Sequence, residues 1–444
     1  MNTTILDTTT VRRWKRYPSL VPSDVEWLND IPAHWGTKPL KFVTQFTNGD
    51  SFNSGDWAEE GIPIIRIENL NGGDNFNYSK REVDTRYHVR KGDLLFAWSG
   101  NRGTSFGPFH WERDGLHYLN QHIFRLDGFD LDRRWFYWLL KGVTAYVEKQ
   151  AHGIIGLVHI TRPELGSVKV PMVPEVEQQS IAAFLDRETT RIDALIGHKE
   201  RLIELLEEKR QAVISHAVTR GLDPNVLLKG SGLAGLDSVP SHWTITRLKY
   251  ATASVTVGVV VTPSKYYVDE GVPALRGANV REGRILEDDL VYFSPESNQL
   301  LAKSMLRTGD LVAVRTGQPG TTAVVSEKFN NANCIDLILI RRSPHFDSRF
   351  LCYLANSWVA KAQYEEGADG AIQQHFNIET AKNMMIFLPP LKEQAQIVRY
   401  LDQRTAELSL LMCRVRYGIA RLQEYRTALI SAAVTGQIDV RGEV

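Results

Sequence analysis

An internal repeat runs through most of this chain and limits the folds open to it. Residues 31–43, IPAHWGTKPLKFV, match residues 239–251, VPSHWTITRLKYA, at five identical positions. Further pairs follow in the same order: GIPIIRIENLNGG (61–73) with GVPALRGANVREG (271–283), and VRKGDLLFAWSGNRGT (89–104) with LRTGDLVAVRTGQPGT (306–321). Self-similarity on this scale indicates two copies of one structural unit.

The last part of each copy predicts a long helix. VPEVEQQSIAAFLD (173–186) matches PPLKEQAQIVRYLD (389–402), and KRQAVISHAVTRGLD (209–223) matches YRTALISAAVTGQID (425–439). The two copies are separated here by a constant 216 residues, so this stretch tolerates no insertion. We expect helices over roughly 178–219 and 394–435, each about 60 Å long at about 1.5 Å per residue.

Apolar residues recur every seven positions in both predicted helices. This spacing predicts a coiled coil, and the simplest partner of each helix is the helix of the other copy. The first position of the predicted seam is occupied by Leu185, Ile192, Leu206, Val213, Leu401, Leu408, Val415, Leu422 and Leu429. The second seam position lies three residues later and is expected to hold Leu195, Leu202, Leu411 and Tyr425. The alternative is that each helix covers its own globular core.

The globular parts predict an α+β fold. Short apolar runs such as IPIIRI, DLLFAW, DLVAVR and DLILIRR alternate with Gly, Asn and Asp turns and resemble antiparallel strands, and residues 133–150 and 348–364 indicate helices. Five segments are expected: an N-terminal extension (1–24), a mixed α/β domain (25–172), a helical spacer (173–222), a linker with a second mixed domain (223–388), and a C-terminal helical spacer (389–444).

Composition excludes several classes of protein. The 52 basic side chains balance 52 acidic ones, so any DNA-binding surface must be local or shared with a partner. No stretch approaches the roughly 18 apolar residues of a membrane span, and the N-terminus lacks the apolar core of a signal peptide. Three cysteines, Cys334, Cys352 and Cys413, fit a reducing compartment. We therefore expect a cytoplasmic protein that does not interact with a membrane.

Motifs for catalysis are missing from the sequence. There is no G-x-x-x-x-G-K-[ST] loop for ATP and no Cys or His pair at zinc-site spacing, so no metal site is expected. Leu-Pro-Pro-Leu (388–391) lacks the Asn or Asp that an amino-methyltransferase needs before its Pro-Pro, and no Gly-x-Gly cofactor loop accompanies it. The sequence thus predicts a chain that is not an enzyme by itself.

Several of these motifs together resemble the specificity subunit of type I restriction–modification systems. The resemblance rests on SDVEWLNDIPAHWGTKPLKFV (23–43), on the GDLLFAWSGNRGT and GDLVAVRTGQPGT turns, and on the paired P-x-x-EQ…I…LD blocks, and it spans residues 22–439. It implies two target recognition domains, each reading one half of a bipartite, asymmetric site in double-stranded DNA. It also implies that the two long helices pack as an antiparallel coiled coil, which gives the chain an internal pseudo-two-fold axis. This spacer would dock two adenine-N6 methyltransferase subunits.

The resemblance further implies which chemistry belongs to partners. Endonuclease/translocase subunits would complete the restricting complex. S-adenosylmethionine, ATP and Mg²⁺ would then act only in partner subunits, so this chain would hold no cofactor.

The repeat also sorts the candidate DNA-binding residues. Side chains shared by both copies cannot distinguish two different half-sites, so base readers are expected where the copies diverge. Arg pairs with guanine, and Asn or Gln with adenine. Trp35 and Trp243, present in both copies, are expected to be core anchors. The DNA-binding candidates are Arg66, Asn69, Trp98, Asn101, Arg102, Gln150 and His152 in the first copy, and Arg276, Asn279, Arg315, Gln318, Gln373 and Gln374 in the second.

Two other functions remain open from the residues. The chain could be a tandem-repeat adaptor that holds proteins through its coiled coil and never touches DNA. An autonomous methyltransferase or nuclease is the second alternative, and the missing cofactor and metal motifs argue against it.

Overall fold

The computed structural model describes residues 14–150, 157–366 and 376–443. The chain divides into two compact units, which we call unit 1 (Met1–Lys199 and Tyr417–Val444) and unit 2 (Glu200–Arg416). Each unit combines one globular domain with part of each of two long helices. The units therefore do not follow the linear order of segments, because both helices pass from one unit to the other.

The domain of unit 1 is built mainly of short strands. The strands are β1 Leu20–Pro22, β2 Asp30–Pro32, β3 Gly36–Pro39, β4 Gln45–Asn48, β5 Ile62–Ile65, β6 Asn77–Ser79, β7 His88–Val89, β8 Leu94–Ala97, β9 Ser99–Asn101, β10 Gly107–His110, β11 His117–Leu119, β12 Ile123–Asp127, β13 Leu157–His159 and β14 Lys169–Met172. One four-stranded sheet has the order β10-β8-β12-β4 and is antiparallel throughout, while the other has the order β6-β5-β11-β7 and pairs β5 with β11 in parallel.

The helices that begin in unit 1 are α1 Ile67–Leu70, α2 Arg133–Gln150, α3 Arg162–Ser167 and the long α4 Glu175–Arg220. Pro174 precedes α4, and Gly221, with φ +76°, ends it in the left-handed conformation that favours glycine. α4 begins three residues before the predicted start at 178. Helix α2 coincides with the predicted segment 133–150.

Unit 2 has a similar set of short strands. They are β15 Leu228–Leu233, β16 Leu236–Pro240, β17 Thr244–Arg247, β18 Val255–Val257, β19 Tyr267–Val268, β20 Val272–Leu275, β21 Val280–Arg281, β22 Arg284–Ile285, β23 Val291–Phe293, β24 Leu311–Val314, β25 Thr322–Val324, β26 Asn333–Cys334, β27 Leu337–Ile340 and β28 Met385–Leu388. The two four-stranded sheets have the orders β18-β27-β24-β25 and β19-β23-β20-β26, and again one pair, β20 with β26, is parallel, although β26 is an edge strand.

The remaining helices are α5 Leu248–Ala251, α6 Pro295–Leu300, α7 Ser348–Ala355, α8 Trp358–Glu366, α9 Ile378–Asn383 and the long α10 Leu391–Val434. Pro390 precedes α10, as Pro174 precedes α4. The single helix predicted over 348–364 is two helices, α7 and α8, with Asn356 and Ser357 between them. An α+β fold with two long helices, as predicted, is confirmed.

Each unit has a core between a sheet, a domain helix and the long helices. In unit 1, Phe96 of β8, Trp135 of α2, Phe184 of α4 and Ala433 of α10 belong to one buried cluster. In unit 2, Ile214 of α4, Phe350 of α7, Phe387 of β28 and Leu401 of α10 do the same. The long helices are therefore part of both cores and not only a connection between domains.

The two long helices run antiparallel within each unit. In unit 1, Asp193 of α4 pairs with Arg426 of α10 at 2.9 Å, and Lys199 lies against Gly418, so numbers rise along one helix and fall along the other. In unit 2, Glu207 pairs with Arg416 at 3.1 Å, and Ile214 shares a core with Leu401. Every predicted seam residue from Leu185 to Leu429 is buried or half-buried.

The second seam position differs from the prediction. Leu195, Leu202 and Leu411 are exposed, each by just over 40%, whereas Tyr425 is half-buried and packs against the core of unit 1. The positions four residues after the first seam position, instead of three, are all buried or half-buried; they are Thr189, Ile196, Ile203, Arg210 and Ala217 in α4 and Thr405, Met412, Ile419, Arg426 and Ala433 in α10. The prediction was wrong because it followed the leucines, whereas the buried face is set by the side of the helix on which the domain packs.

Candidate nucleic-acid interface

The two domains hold a divergent loop in the same backbone frame. Trp98 follows β8 and Arg315 follows β24, and the backbone carbonyl of each accepts a hydrogen bond from a residue about 60 positions later in the sequence. The donors are the amide of Ile160 at 2.9 Å and the amide of Phe376 at 3.1 Å. Trp98 and Arg315 therefore occupy equivalent positions. Whatever lies beyond them is presented by the same scaffold in both units.

In unit 1 the position is part of an aromatic cluster. The indole N–H of Trp98 donates to the carbonyl of Gln121 at 2.9 Å. Its ring centroid lies 5.3 Å from that of His122 and 4.9 Å from that of His159. Trp98 is half-buried by these contacts, so its main effect is to hold the loop in place.

The loop beyond Trp98 is tied to the end of α2. Arg102 Nη2 donates to the carbonyl of Glu148 at 2.6 Å, and the Gly103 amide donates to Glu148 Oε1 at 2.7 Å. Gly103 has φ +73°, which an L residue rarely adopts. Asn101 and Arg102 are exposed at the loop tip. Both present polar side chains of the types that read base edges.

In unit 2 an ion pair replaces the aromatic cluster. Arg315 Nη1 pairs with Asp336, which stands where His122 stands in unit 1. Arg315 Nε is buried and has no hydrogen-bond partner among the residues that the structure describes. Beyond it, Gln318 is exposed between Gly317 and Gly320, whose φ values are +89° and +83°. One loop position thus carries different chemistry in the two units.

Asn69 and Asn279 have a structural role instead of the predicted DNA contact. Asn69 Oδ1 accepts from the Arg66 amide at 2.8 Å, and its Nδ2 donates to the carbonyls of Gly73 and Asn75. Asn279 accepts from the Arg276 amide at 2.9 Å and donates to the carbonyl of Asp288. Both side chains are at most 2% exposed. They close a turn in both copies and have no surface to offer DNA, so they are withdrawn from the candidates.

The arginines before these turns are partly exposed. Arg66 donates to Asn77 Oδ1 at 2.6 Å and lies 3.4 Å from Glu68. Arg276 donates to the carbonyl of Asp289. Each guanidinium therefore already has an acceptor within its own unit.

The third candidate loop can be placed only at its first residue. Gln150, the last residue of α2, is exposed, and its Nε2 lies 3.5 Å from Glu26 Oε1. His152, Gln373 and Gln374 lie outside the residues that the structure describes. The loop candidates that the structure brings together are therefore Trp98, Asn101 and Arg102 in unit 1, and Arg315 and Gln318 in unit 2.

The repeated stretch around Trp35 and Trp243 forms a joint between domain and long helix. Trp35 Nε1 donates to Glu177 Oε2 at 3.2 Å, and His34 Nε2 lies 2.6 Å from Glu177 Oε1. In unit 2, Trp243 Nε1 and His242 Nε2 meet the two carboxylate oxygens of Glu393 at 3.1 and 2.7 Å. Both glutamates lie in the first turn of their long helix. The prediction that both tryptophans are core anchors is confirmed.

Sequence reasoning missed the two glutamates of this joint, although the signal was present. Glu177 and Glu393 are the shared acid of the P-x-x-EQ blocks. In unit 1 the joint is more closed, since the Tyr17 hydroxyl also donates to Glu177 Oε2 at 3.0 Å. Burial, and then the charge of Glu177, hold the pKa of Tyr17 well above its usual range.

Two properties of the described residues concern metal sites and membrane spans. No group of three or more His, Cys, Asp or Glu side chains is placed to hold a metal ion in the part of the chain that the structure describes. Within the same residues, no helix is both long and apolar enough to cross a membrane.

The sequence matches a known family over most of its length. The family model for the type I restriction modification DNA specificity domain matches residues 32–205 and 297–411, together more than half of the chain. The chain therefore belongs to this family. It is a specificity component of a type I restriction–modification system, with DNA-recognition domains and no catalytic role of its own, and the resemblance predicted from the motifs is confirmed.

Named relatives agree with this assignment. The type I restriction enzyme EcoBI specificity subunit of Escherichia coli is 24% identical over 432 residues, covering 94% of this chain and 89% of that protein. The MjaVIII specificity subunit of Methanocaldococcus jannaschii is 22% identical over 366 residues, with 80% of each chain covered. A solved chain from work on complex assembly and conformational transition of the type I R-M system has a TM-score of 0.66 at 18% identity, covering 93% of this chain and 99% of that chain. This last similarity supports the fold alone.

Proposed function

We propose that the chain directs a type I restriction–modification complex to a bipartite, asymmetric site in double-stranded DNA, with each unit reading one half. One observation carries the proposal. Two domains with the same backbone frame present different exposed side chains in one loop, Asn101 and Arg102 beyond Trp98 in unit 1 and Gln318 beyond Arg315 in unit 2. A shared scaffold gives both domains the same approach to a groove, and divergent side chains give them different base preferences.

The exposed loop tips are assigned to base reading. Asn101 and Gln318 can each form two hydrogen bonds with adenine, and Arg102 can pair with guanine once it leaves the carbonyl of Glu148. Trp98 and Arg315 are held by contacts inside their own units, so we assign them to positioning these loops. Arg66 and Arg276 are assigned to phosphate, and Gln150 remains a candidate at the end of α2.

The long helices are assigned two tasks, as the spacer between half-sites and as the docking surface for two adenine-N6 methyltransferase subunits. Apolar side chains outside the intrachain seam support docking. On α4, Leu195, Leu202 and Leu205 are each more than 40% exposed, and on α10 so are Leu410, Leu411 and Tyr417. Exposed apolar side chains at seven-residue spacing, such as Leu195 and Leu202, suit a partner helix.

The catalytic steps then belong to partners. The methyltransferase subunits would bind S-adenosylmethionine, and endonuclease/translocase subunits would bind ATP and Mg²⁺. The chain would act in the cytoplasm, where the DNA that such a complex surveys is found.

An exchange of the second domain tests the modular reading. Residues 235–388 are replaced by the second domain of another family member, and the methylated motif is read by methylation-sensitive sequencing of the host genome. We expect one half of the motif to change and the other half to persist. A change in both halves would contradict the assignment of one half to each unit.

The adaptor alternative needs a different measurement. The complex of this chain with its methyltransferase partner is titrated with DNA in a gel-shift assay at fixed salt. If the chain is an adaptor that does not bind DNA, replacing Asn101, Arg102 and Gln318 by alanine will leave the affinity of the complex for DNA unchanged. We expect the triple variant to lose sequence preference while keeping its partner.

A further inference from the structure

Unit 2 contains a cavity of about 390 Å³ that the function above does not use. Arg210 and Ile214 of α4, Val324 of β25, Cys352 and Tyr353 of α7, and Thr405 of α10 line it. The volume lies within the range of small-molecule sites, which are mainly apolar with a few convergent polar groups. The cavity thus joins both long helices to the domain at a single place within unit 2.

One departure from the repeat makes room for this cavity. Alignment of residues 131–140 with 346–355 places Cys352 opposite Tyr137. In unit 1, the Tyr137 ring stacks on His110 with 4.6 Å between centroids. Cysteine lacks the phenol ring, so unit 2 has open space where unit 1 has a packed aromatic pair.

A second departure leaves a cation beside the same space. At the constant offset of 216, Arg210 corresponds to Arg426 and Ser409 corresponds to Asp193. In unit 1, Asp193 accepts two hydrogen bonds from Arg426, at 2.9 and 3.2 Å. Ser409 provides no carboxylate, and Arg210 Nε is buried without a hydrogen-bond partner among the described residues. A buried guanidinium nitrogen without an acceptor is destabilising.

The neighbouring acids are engaged elsewhere. Glu282 accepts from Lys361 at 2.9 Å and from Gln211 at 3.3 Å. Asp402 accepts from Arg349 and from the Tyr353 hydroxyl. Glu282 lines the cavity together with Arg284 and Arg349, but both carboxylates already have donors. Arg210 Nε is therefore left without an acceptor among the described residues.

We propose that this cavity binds a small molecule with a carboxylate on an apolar body. The carboxylate would accept hydrogen bonds from Arg210, as Asp193 accepts them from Arg426 in unit 1. The apolar body would fill the space that corresponds to the Tyr137 ring of unit 1. Guanidinium and carboxylate match as a two-hydrogen-bond pair.

Covalent capture by the cysteine is not part of this binding. Burial raises the pKa of the Cys352 thiol to about 12. The thiol is therefore protonated at neutral pH and is a poor nucleophile. Its hydrogen bond to the carbonyl of Thr322 keeps it as part of the wall.

Titration of the full-length chain with benzoate, followed by calorimetry, tests the proposal, and benzamide is the neutral comparison. We expect one benzoate per chain and at least about tenfold weaker binding of benzamide, since a charge-assisted hydrogen bond is lost. Two variants make unit 2 resemble unit 1: Ser409→Asp supplies an internal carboxylate for Arg210, and Cys352→Tyr fills the cavity. Each should weaken benzoate binding by about tenfold or more.

The matched control is Asp193→Ser, which removes the carboxylate partner of Arg426 in unit 1. Because Tyr137 already fills the neighbouring space there, this variant should still bind only one benzoate per chain. Absence of benzoate binding at about 10 mM, equal binding of benzamide, or unchanged binding in Ser409→Asp would each overturn the proposal. Ser409 is exposed on α10, so the Ser409→Asp variant should fold. If Cys352→Tyr fails to fold, Ser409→Asp alone tests the proposal.

Discussion

Asn69 and Asn101 show how burial decides what one kind of side chain does. Asn69 lies in α1 and Asn101 is the last residue of β9, and both are of the type that reads adenine. Asn69 is buried and uses its amide to close a turn, whereas Asn101 is exposed at a loop tip. Sequence alone treats them alike. The three hydrogen bonds of the Asn69 amide distinguish them, because a side chain with satisfied, buried polar groups has nothing to offer DNA.

This difference predicts opposite effects of alanine substitution. Asn69→Ala leaves buried backbone groups unpaired and should lower the free energy of unfolding by about 1–3 kcal/mol. Asn101→Ala should change it by no more than about 0.5 kcal/mol and weaken DNA binding instead. Urea denaturation and a DNA titration of both variants measure the two effects. A stable Asn69→Ala variant with reduced DNA affinity would return Asn69 to the interface.

A buried histidine predicts how stability depends on pH. Burial lowers the pKa of His117 below its ordinary value of 6.5, and the Trp111 indole donates to its Nδ1. The unfolded chain therefore takes up a proton at a higher pH than the folded chain does, so the folded state loses stability as pH falls through that range.

Thermal unfolding between pH 7 and pH 5 measures this effect. His117→Gln keeps an acceptor for Trp111 but cannot titrate, so its unfolding midpoint should fall less on acidification than that of the parent chain. His122→Gln, at an exposed histidine of the same unit, is the control and should follow the parent. Equal losses in the parent and the His117 variant would show that His117 does not contribute.

In the two long helices, the seven-residue spacing of the buried side chains was predictable from the sequence. The position of the second row of covered side chains was not. Seven-residue spacing placed Leu185, Ile192 and Leu401 in the seam. The neighbouring stripe was assigned to Leu202 because leucine is the usual seam residue, whereas the buried stripe includes Thr189 and Thr405. Threonine can be buried on a helix because its hydroxyl donates to a carbonyl of the preceding turn, as Thr189 does to Leu185 at 2.6 Å.

Leu202 and Leu206 provide a matched pair on α4. Leu206 is 7% exposed and Leu202 is 41% exposed. Leu206→Glu should unfold or strongly destabilise the chain, by about 3 kcal/mol or more, because it buries a charge. Leu202→Glu should leave stability within about 0.5 kcal/mol and weaken the association with the methyltransferase subunit. Co-purification and denaturation of both variants separate the outcomes. Full methyltransferase binding by the Leu202 variant would exclude Leu202 from the docking surface.

Across the entire chain, the balance of charge predicts how DNA binding responds to salt. With 52 basic and 52 acidic side chains, the chain supplies no global attraction for phosphate. Under the proposed function, local groups such as Arg66 and Arg276 would make only a few phosphate contacts, and partner subunits would supply the remainder. The slope of log affinity against log salt should therefore be shallow for this chain alone and steeper with its methyltransferase partner. Equal slopes would assign the phosphate contacts to this chain.

The residues alone were enough to establish the repeat, the two long helices, the α+β domains and the family, because these follow from local spacing and from order along the chain. Packing decided the rest. Packing decided which face of each long helix is buried at the second stripe, and it joined Glu177 and Glu393 to residues distant in sequence. The burial of Asn69 and Asn279 depends on how their turns close. The cavity beside Arg210 arises in the same way, since it needs Arg210 of α4 and Cys352 of α7 to come together from separate helices. Spacing predicts an element, but only the assembled core shows which of its faces is covered.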